Sequence, residues 1–169
     1  TSATGSHAVA MGKSTTASGG FSTAMGGDST ASGDYSVAMG RNTTASGEIS
    51  TTMGRETTAS DYASFVIGQY NSSGSSVTNN ATSFNTANTA FVIGNGTASN
   101  AKSDAFKVMF NGDATVSNDL TVSGVVVNTS NSNQIAFYTE ATSNSDSGVF
   151  ISKDGGTTWN ETSIDGGQF

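Results

Sequence analysis

From Ala3 to Gly68 the chain repeats every seven residues, and more strictly every fourteen. The heptad reads Ser/Thr-x-Ala-x-Gly followed by two turn residues. Its alanine line is Ala3, Ala10, Ala17, Ala24, Ala31, Ala38, Ala45, Thr52, Ala59 and Val66. Its glycine line is Gly5, Gly12, Gly19, Gly26, Gly33, Gly40, Gly47, Gly54, Asp61 and Gly68. Self-similarity of this kind sets the architecture before any local motif does. A coiled coil is excluded, because its two seam positions need bulky apolar residues. Here they hold Ala and Gly, and each Gly would cost a helix ~1 kcal/mol relative to Ala. The alternation has period two, which marks a strand with one face turned inward. Five strand residues and two turn residues make half a coil. Fourteen residues therefore make one full turn of a narrow all-β solenoid, whose small inward residues let its two walls approach closely.

The outward residues distinguish the walls. One presents Val9/Met11, Thr23/Met25, Val37/Met39, Thr51/Met53 and Phe65/Ile67. The other presents hydroxyl rows: Thr16/Ser18, Thr30/Ser32, Thr44/Ser46 and Thr58/Ser60. The turn leading into the Met wall adds His7, Phe21, Tyr35, Ile49 and Ala63. The opposite turn carries Lys13, Asp28, Arg41, Arg55 and Glu56. Coils advance by ~4.8 Å, so five give an apolar strip ~24 Å long. A contiguous apolar stripe marks a partner surface, and one buried Met or Val side chain contributes ~1.5–3 kcal/mol. Self-association through the Met wall follows, although periodicity does not give the number of chains.

Ala-Met-Gly, Ala-Ser-Gly and Ser-x-Ala-x-Gly at fourteen-residue spacing resemble the head repeats of trimeric autotransporter adhesins; similar repeats occur in phage and other viral fibres. The resemblance covers roughly the first 70 residues. It implies a left-handed parallel β-roll, three of which pack around a common axis through their inner strands as an intertwined homotrimer. The interface residues implied are Val9, Met11, Phe21, Met25, Tyr35, Val37, Met39, Ile49, Met53, Phe65 and Ile67, with Phe91 and Ile93 further on. Thr52 for Ala, Asp61 for Gly, and Phe65 with Val66 depart from the pattern and signal that the roll is ending.

The chain has 169 residues, no Cys or Pro, and a formal net charge of −7. Richness in Ser, Thr, Asn and Gly would ordinarily favour disorder, but the strict repeat argues against it. The first 60 residues hold no bulky core, which again favours oligomerisation. There is no basic patch to neutralise phosphates, so nucleic acid is not an expected partner. No segment reads as membrane-spanning and no signal peptide is visible, so the chain reads as part of a larger protein or a processed product.

Four segments are expected: roll repeats over 1–70, an irregular coil and last repeat over 71–94, a neck with hairpins over 95–127, and a small β domain over 128–169. Phe65-Val-Ile-Gly68 recurs as Phe91-Val-Ile-Gly94, and the Ser/Asn/Thr-rich stretch between reads as one irregular coil with a loop or as a solvated linker. Ala105–Phe110 reads as a strand, Asn111-Gly112 as a two-residue hairpin turn, and Ala114–Ser117 and Leu120–Val127 as further strands. The run from Asn100 to Gly124 resembles the neck that follows such heads; a small monomeric β-meander is the alternative. Gln134–Tyr138 and Gly148–Ser152 read as strands. Ser152, Asp154, Gly155, Gly156, Thr158 and Trp159 match the Asp-box of sialidases, which implies a hairpin turn. One copy cannot build a propeller, so it reads as a folding device.

Chemistry is sparse. His7 is the sole histidine and lies in a repeat turn, so no triad is available. The carboxylates are scattered over turns rather than paired in a cleft, and neither zinc nor EF-hand spacing is present. No cofactor or metal is expected. The function expected is a non-enzymatic structural or adhesive segment of a trimeric fibre. Displayed extracellularly, on a virion or a bacterial surface, it would attach to a cell-surface receptor or glycan. The alternative is an ice-binding solenoid using the Thr/Ser rows.

Overall fold

The computed structural model describes residues 1–118 and 120, and the backbone of three later strands, Phe137–Tyr138, Val149–Ile151 and Asn160–Thr162. Among the described residues every regular element is a strand. The chain forms two units, Thr1–Leu120 and Thr121–Phe169.

The first unit is a β-solenoid. Its Met wall is built from five-residue strands one coil apart: β2 (Val9–Lys13), β4 (Thr23–Gly27), β6 (Val37–Arg41), β8 (Thr51–Arg55) and β10 (Phe65–Gln69). These pair in parallel at a constant fourteen-residue offset, so Met11 lies beside Met25, Met39 and Met53 in turn. The hydroxyl wall is shorter than expected. Its strands β1 (Ser2–Ala3), β3 (Thr16–Ala17), β5 (Thr30–Ala31), β7 (Thr44–Ala45) and β9 (Thr58–Ala59) have two residues each. The two half-coils are therefore not equivalent. The physical reason is local: Ser18 and Gly19 both donate their N–H to the Ala31 carbonyl, at 2.9 and 3.3 Å. Ser32 with Gly33, and Ser46 with Gly47, do the same one coil on. Two donors sharing one acceptor end the ladder early and start the turn.

Between the walls the core is thin. Ala17, Ala24, Ala31, Ala38 and Ala45 have no exposed surface and form one cluster; Ala59, Val66 and Val92 form a second. A second inward line is hydroxylic: Ser22, Ser29, Ser36, Thr43, Ser50 and Thr57 are also fully buried. Buried hydroxyls usually find partners, and each of these except Ser22 has one. Thr43 donates to Ser29 Oγ at 2.9 Å, Ser50 to the Ala59 carbonyl at 3.2 Å, and Thr52 to Thr57 Oγ1 at 2.7 Å. Thr52 thus replaces Ala without leaving an unpaired oxygen.

The roll ends by a change of direction. Strand β11 (Thr89–Asn95) pairs in parallel with β10, placing Phe91 beside Phe65 and Ile93 beside Ile67. The intervening stretch substitutes for the hydroxyl wall. Asn71 acts as the missing strand: its Oδ1 accepts from Thr58 N at 2.8 Å, and its Nδ2 donates to the Thr58 and Ser73 carbonyls at 2.9 and 2.8 Å. Asp61, the break in the glycine line, is fully buried and accepts from Thr78 N at 2.6 Å and Thr89 N at 2.8 Å. Asp104 holds Ser72 N and Ser73 N, each at 2.8 Å. These side chains supply the acceptors that a further coil would have supplied. Asn71→Asp is isosteric but faces two carbonyls with a carboxylate. Its expected cost is about 2 kcal/mol, whereas Asn79→Asp, which keeps its acceptor role toward Asn85 Nδ2, should stay within ~0.5 kcal/mol. Urea unfolding of the two variants side by side checks this.

Strand β12 (Asp104–Met109) then runs antiparallel to β11, and β13 (Ala114–Val116) antiparallel to β12, completing an eight-stranded sheet. The turn at Asn111-Gly112 is not a two-residue one. Met109 N donates to the Asp113 carbonyl and Gly112 N to the Met109 carbonyl. The loop is therefore Phe110–Gly112, with Gly112 at φ 94°. A three-residue loop with a left-handed last residue is the next most favoured hairpin. Asn111 secures it by accepting from Asp113 N at 3.0 Å.

In the second unit, β14 (Phe137–Tyr138), β15 (Val149–Ile151) and β16 (Asn160–Thr162) form an antiparallel sheet in that order. The Asp-box residues Ser152, Asp154, Gly155, Gly156, Thr158 and Trp159 lie outside the described residues, as does most of the strand expected over Leu120–Val127.

Candidate functional site: the Met wall and its two edges

Side chains on the Met wall stand in two rows across six parallel strands. One row is Val9, Thr23, Val37, Thr51, Phe65 and Phe91; the other is Met11, Met25, Met39, Met53, Ile67 and Ile93. Every member is half-buried or exposed, up to 55% for Met11. At the C-terminal end the first row becomes aromatic. Phe65 and Phe91 stack at 5.8 Å, and Phe106 of β12 meets the Phe91 ring edge-on at 6.1 Å.

The wall is flanked by two unlike edges. On the entry side His7, Phe21 and Tyr35 stack face to face, with centroids 4.9 and 5.1 Å apart and planes within 4° and 1°. Ile49 continues the ladder. Each of the four has a positive φ, from 56° to 60°. The backbone ladder explains it: Phe21 N, Tyr35 N and Ile49 N donate to the carbonyls of Ser6, Gly20 and Asp34 at 2.7–2.8 Å, so hydrogen bonding between coils continues through the turn. On the exit side the strands end in Lys13, Gly27, Arg41, Arg55 and Gln69, in register. The next residues, Ser14, Asp28, Asn42, Glu56 and Tyr70, also have positive φ. Asn42 donates to Glu56 at 2.8 Å, and the Arg55 guanidinium sits 5.2 Å over the Tyr70 ring.

The hydroxyl rows are less regular than the sequence implies. Thr16, Thr30, Thr44 and Thr58 are in register and half-buried, and Ser18 and Ser32 are exposed. Ser46 is half-buried and donates to Ser60 at 3.1 Å. Ser60 is not exposed: it retains 5% of its surface, because the capping segment crosses it and its N–H donates to the Gly74 carbonyl at 2.9 Å. Sequence reasoning missed the cap formed by Asn71 and Asp104. It missed the positive φ along the aromatic ladder too, for which the seven-residue spacing of turns was the available signal.

Among the described residues no group of three or more His, Asp or Glu side chains is placed to hold a metal, and no helix is long and apolar enough to cross a membrane.

An extended β-solenoid with one apolar and one hydroxylic wall is the class this geometry defines. The family model described as YadA head domain repeat (2 copies) matches residues 3–29, 18–43 and 31–51. Residues 3–51 are thus similar to the head repeat of trimeric autotransporter adhesins. No curated protein and no solved structure gave a significant match.

Proposed function

We propose that the chain is a non-enzymatic segment of a homotrimeric, surface-displayed adhesin, in which three solenoids join through their Met walls and attach a cell or other surface to their outer faces. The observation that carries this reading is the wall itself: twelve side chains in two unbroken rows, most of them apolar and none fully buried in the single chain. Soluble proteins rarely leave such a patch uncovered. The head-repeat match favours bacterial display over a virion. In a trimer each weak surface contact is made three times, so avidity exceeds any single affinity.

Sedimentation equilibrium tests the assembly. The expected mass is three times the 16.9 kDa chain mass, unchanged on dilution through the micromolar range; a folded monomer would overturn it. Beads coated with the trimer should adhere to host-cell or glycan-coated surfaces. Beads carrying a monomeric variant at equal density should not, and equal adhesion by both would remove avidity from the mechanism.

A further inference from the structure

The entry-side ladder holds bulky residues where the backbone disfavours them. A left-handed conformation costs an L-residue about 1–2 kcal/mol, and for a β-branched or bulky side chain it is an outlier. Ile49 at φ 60°, Tyr35 at 57° and Phe21 at 57° accept that cost while remaining 44%, 56% and 51% exposed. The exit-side turn has the same conformation but uses Ser14, Asp28, Asn42 and Glu56 for four of its five positions; of these, Asp and Asn tolerate it best. Stacking within the chain offsets part of the cost for the rings of Phe21 and Tyr35, but it leaves them half exposed and gives no reason for Ile49. A surface that packs against this edge does.

The partner surface is present on the same wall. Cyclic association is heterologous, so one edge of each subunit meets the opposite edge of the next. Cyclic symmetry has no rise along its axis, so residues on the same coil meet. Tyr35 then meets Arg41, Ile49 meets Arg55, and Phe21 meets Gly27, where the missing side chain leaves room for a ring. Arg41 and Arg55 are exposed. A guanidinium over an aromatic face is a favourable contact, and Arg55 already makes one with Tyr70 within the chain.

Resting on the trimeric reading above, we propose that the aromatic edge of each chain packs against the cationic edge of the next, with Arg41 of one copy stacked on Tyr35 of another. This pairing gives the ring of subunits its direction and makes Tyr35 and Arg41 specificity determinants of assembly.

The chain has no cysteine, so directed cross-linking is unambiguous. Tyr35 and Arg41 are six residues apart along largely extended chain, about 20 Å. A disulfide needs Cα atoms within about 7 Å, so one joining these positions must join two chains. Oxidised full-length Tyr35→Cys/Arg41→Cys protein should run as covalent trimer on a non-reducing gel, and each single variant as monomer. A trimer in solution without cross-links would overturn the pairing and leave the proposed function standing, as would cross-linking of either single variant alone. If the double variant does not assemble, Tyr35→Cys chains co-refolded with Arg41→Cys chains retain one member of each pair. They should cross-link only between unlike chains, and failure to do so in a mixed trimer overturns the pairing. A native chain that is monomeric removes both proposals together.

Discussion

Replacing Met25 and Met39 together by aspartate is expected to convert the proposed trimer into folded monomers at micromolar concentration. Both side chains are half-buried in the single chain, paired on adjacent strands, and directed away from the alanine core. Each Met is already half-buried in the single chain, so about half of the ~1.5 kcal/mol low-end value for full burial remains to be gained, and the six side chains of the proposed trimer would contribute roughly 4–5 kcal/mol. A trimer of micromolar strength rests on two association steps of ~8 kcal/mol each, so this loss removes about a quarter of the drive to assemble. Six carboxylates forced together near the axis would add desolvation and repulsion to the loss. The matched control is Thr30→Asp with Thr44→Asp. Those positions are also neighbours on adjacent strands, so charge repulsion within one chain is the same in both variants. Only the wall differs. The Thr pair should keep the native mass in sedimentation. If both pairs dissociate the protein, or neither does, the assignment of inner and outer walls is wrong.

Much of this was legible because the repeat ties chemistry to position. The alanine line predicted a buried row, and Ala17 through Ala45 have no exposed surface. The second Phe-Val-Ile-Gly predicted a strand equivalent to the first, and the two are neighbours in register. What the pattern hid was set by backbone geometry. Thr16-x-Ser18 alternates as well as Thr23-x-Met25, yet its strand stops at Ala17 because Ser18 and Gly19 share one acceptor. Alternation records which face a residue takes, not where the ladder ends. The cap was hidden for a different reason. Asn71, Asp61 and Asp104 are ordinary turn residues in sequence, and they become structural only when residues 13 to 32 positions away bring N–H groups to them. Asp61 alone left a trace, as the one break in the glycine line.

The glycine line supports the second large prediction. Gly40→Ala is expected to destabilise the solenoid by at least ~3 kcal/mol, combining backbone strain with overpacking. Gly40 has φ +133°, and a Cβ there would lie 2.0 Å from the Gly54 carbonyl oxygen of the next coil. The neighbouring coil cannot yield, because the same contact recurs at each level: a Cβ on Gly26 would meet the Gly40 oxygen at 2.1 Å, and one on Gly54 the Gly68 oxygen at 2.0 Å. Moving one carbonyl therefore displaces the next. Gly27→Ala, on an adjoining strand, has nothing within 4 Å of its added methyl in its own chain; with both glycine variants made in the Met25→Asp/Met39→Asp background, so that no subunit contact enters, it should change stability by less than ~0.5 kcal/mol. Thermal and urea unfolding of the two variants decides the point. Similar losses at both positions would mean that glycine serves here only for chain flexibility. A large loss at Gly40 alone would mean that the spacing between coils is fixed by backbone resting on backbone. Such a stack holds the Met rows in register across the wall, and the proposed trimer would need that register for its three walls to meet.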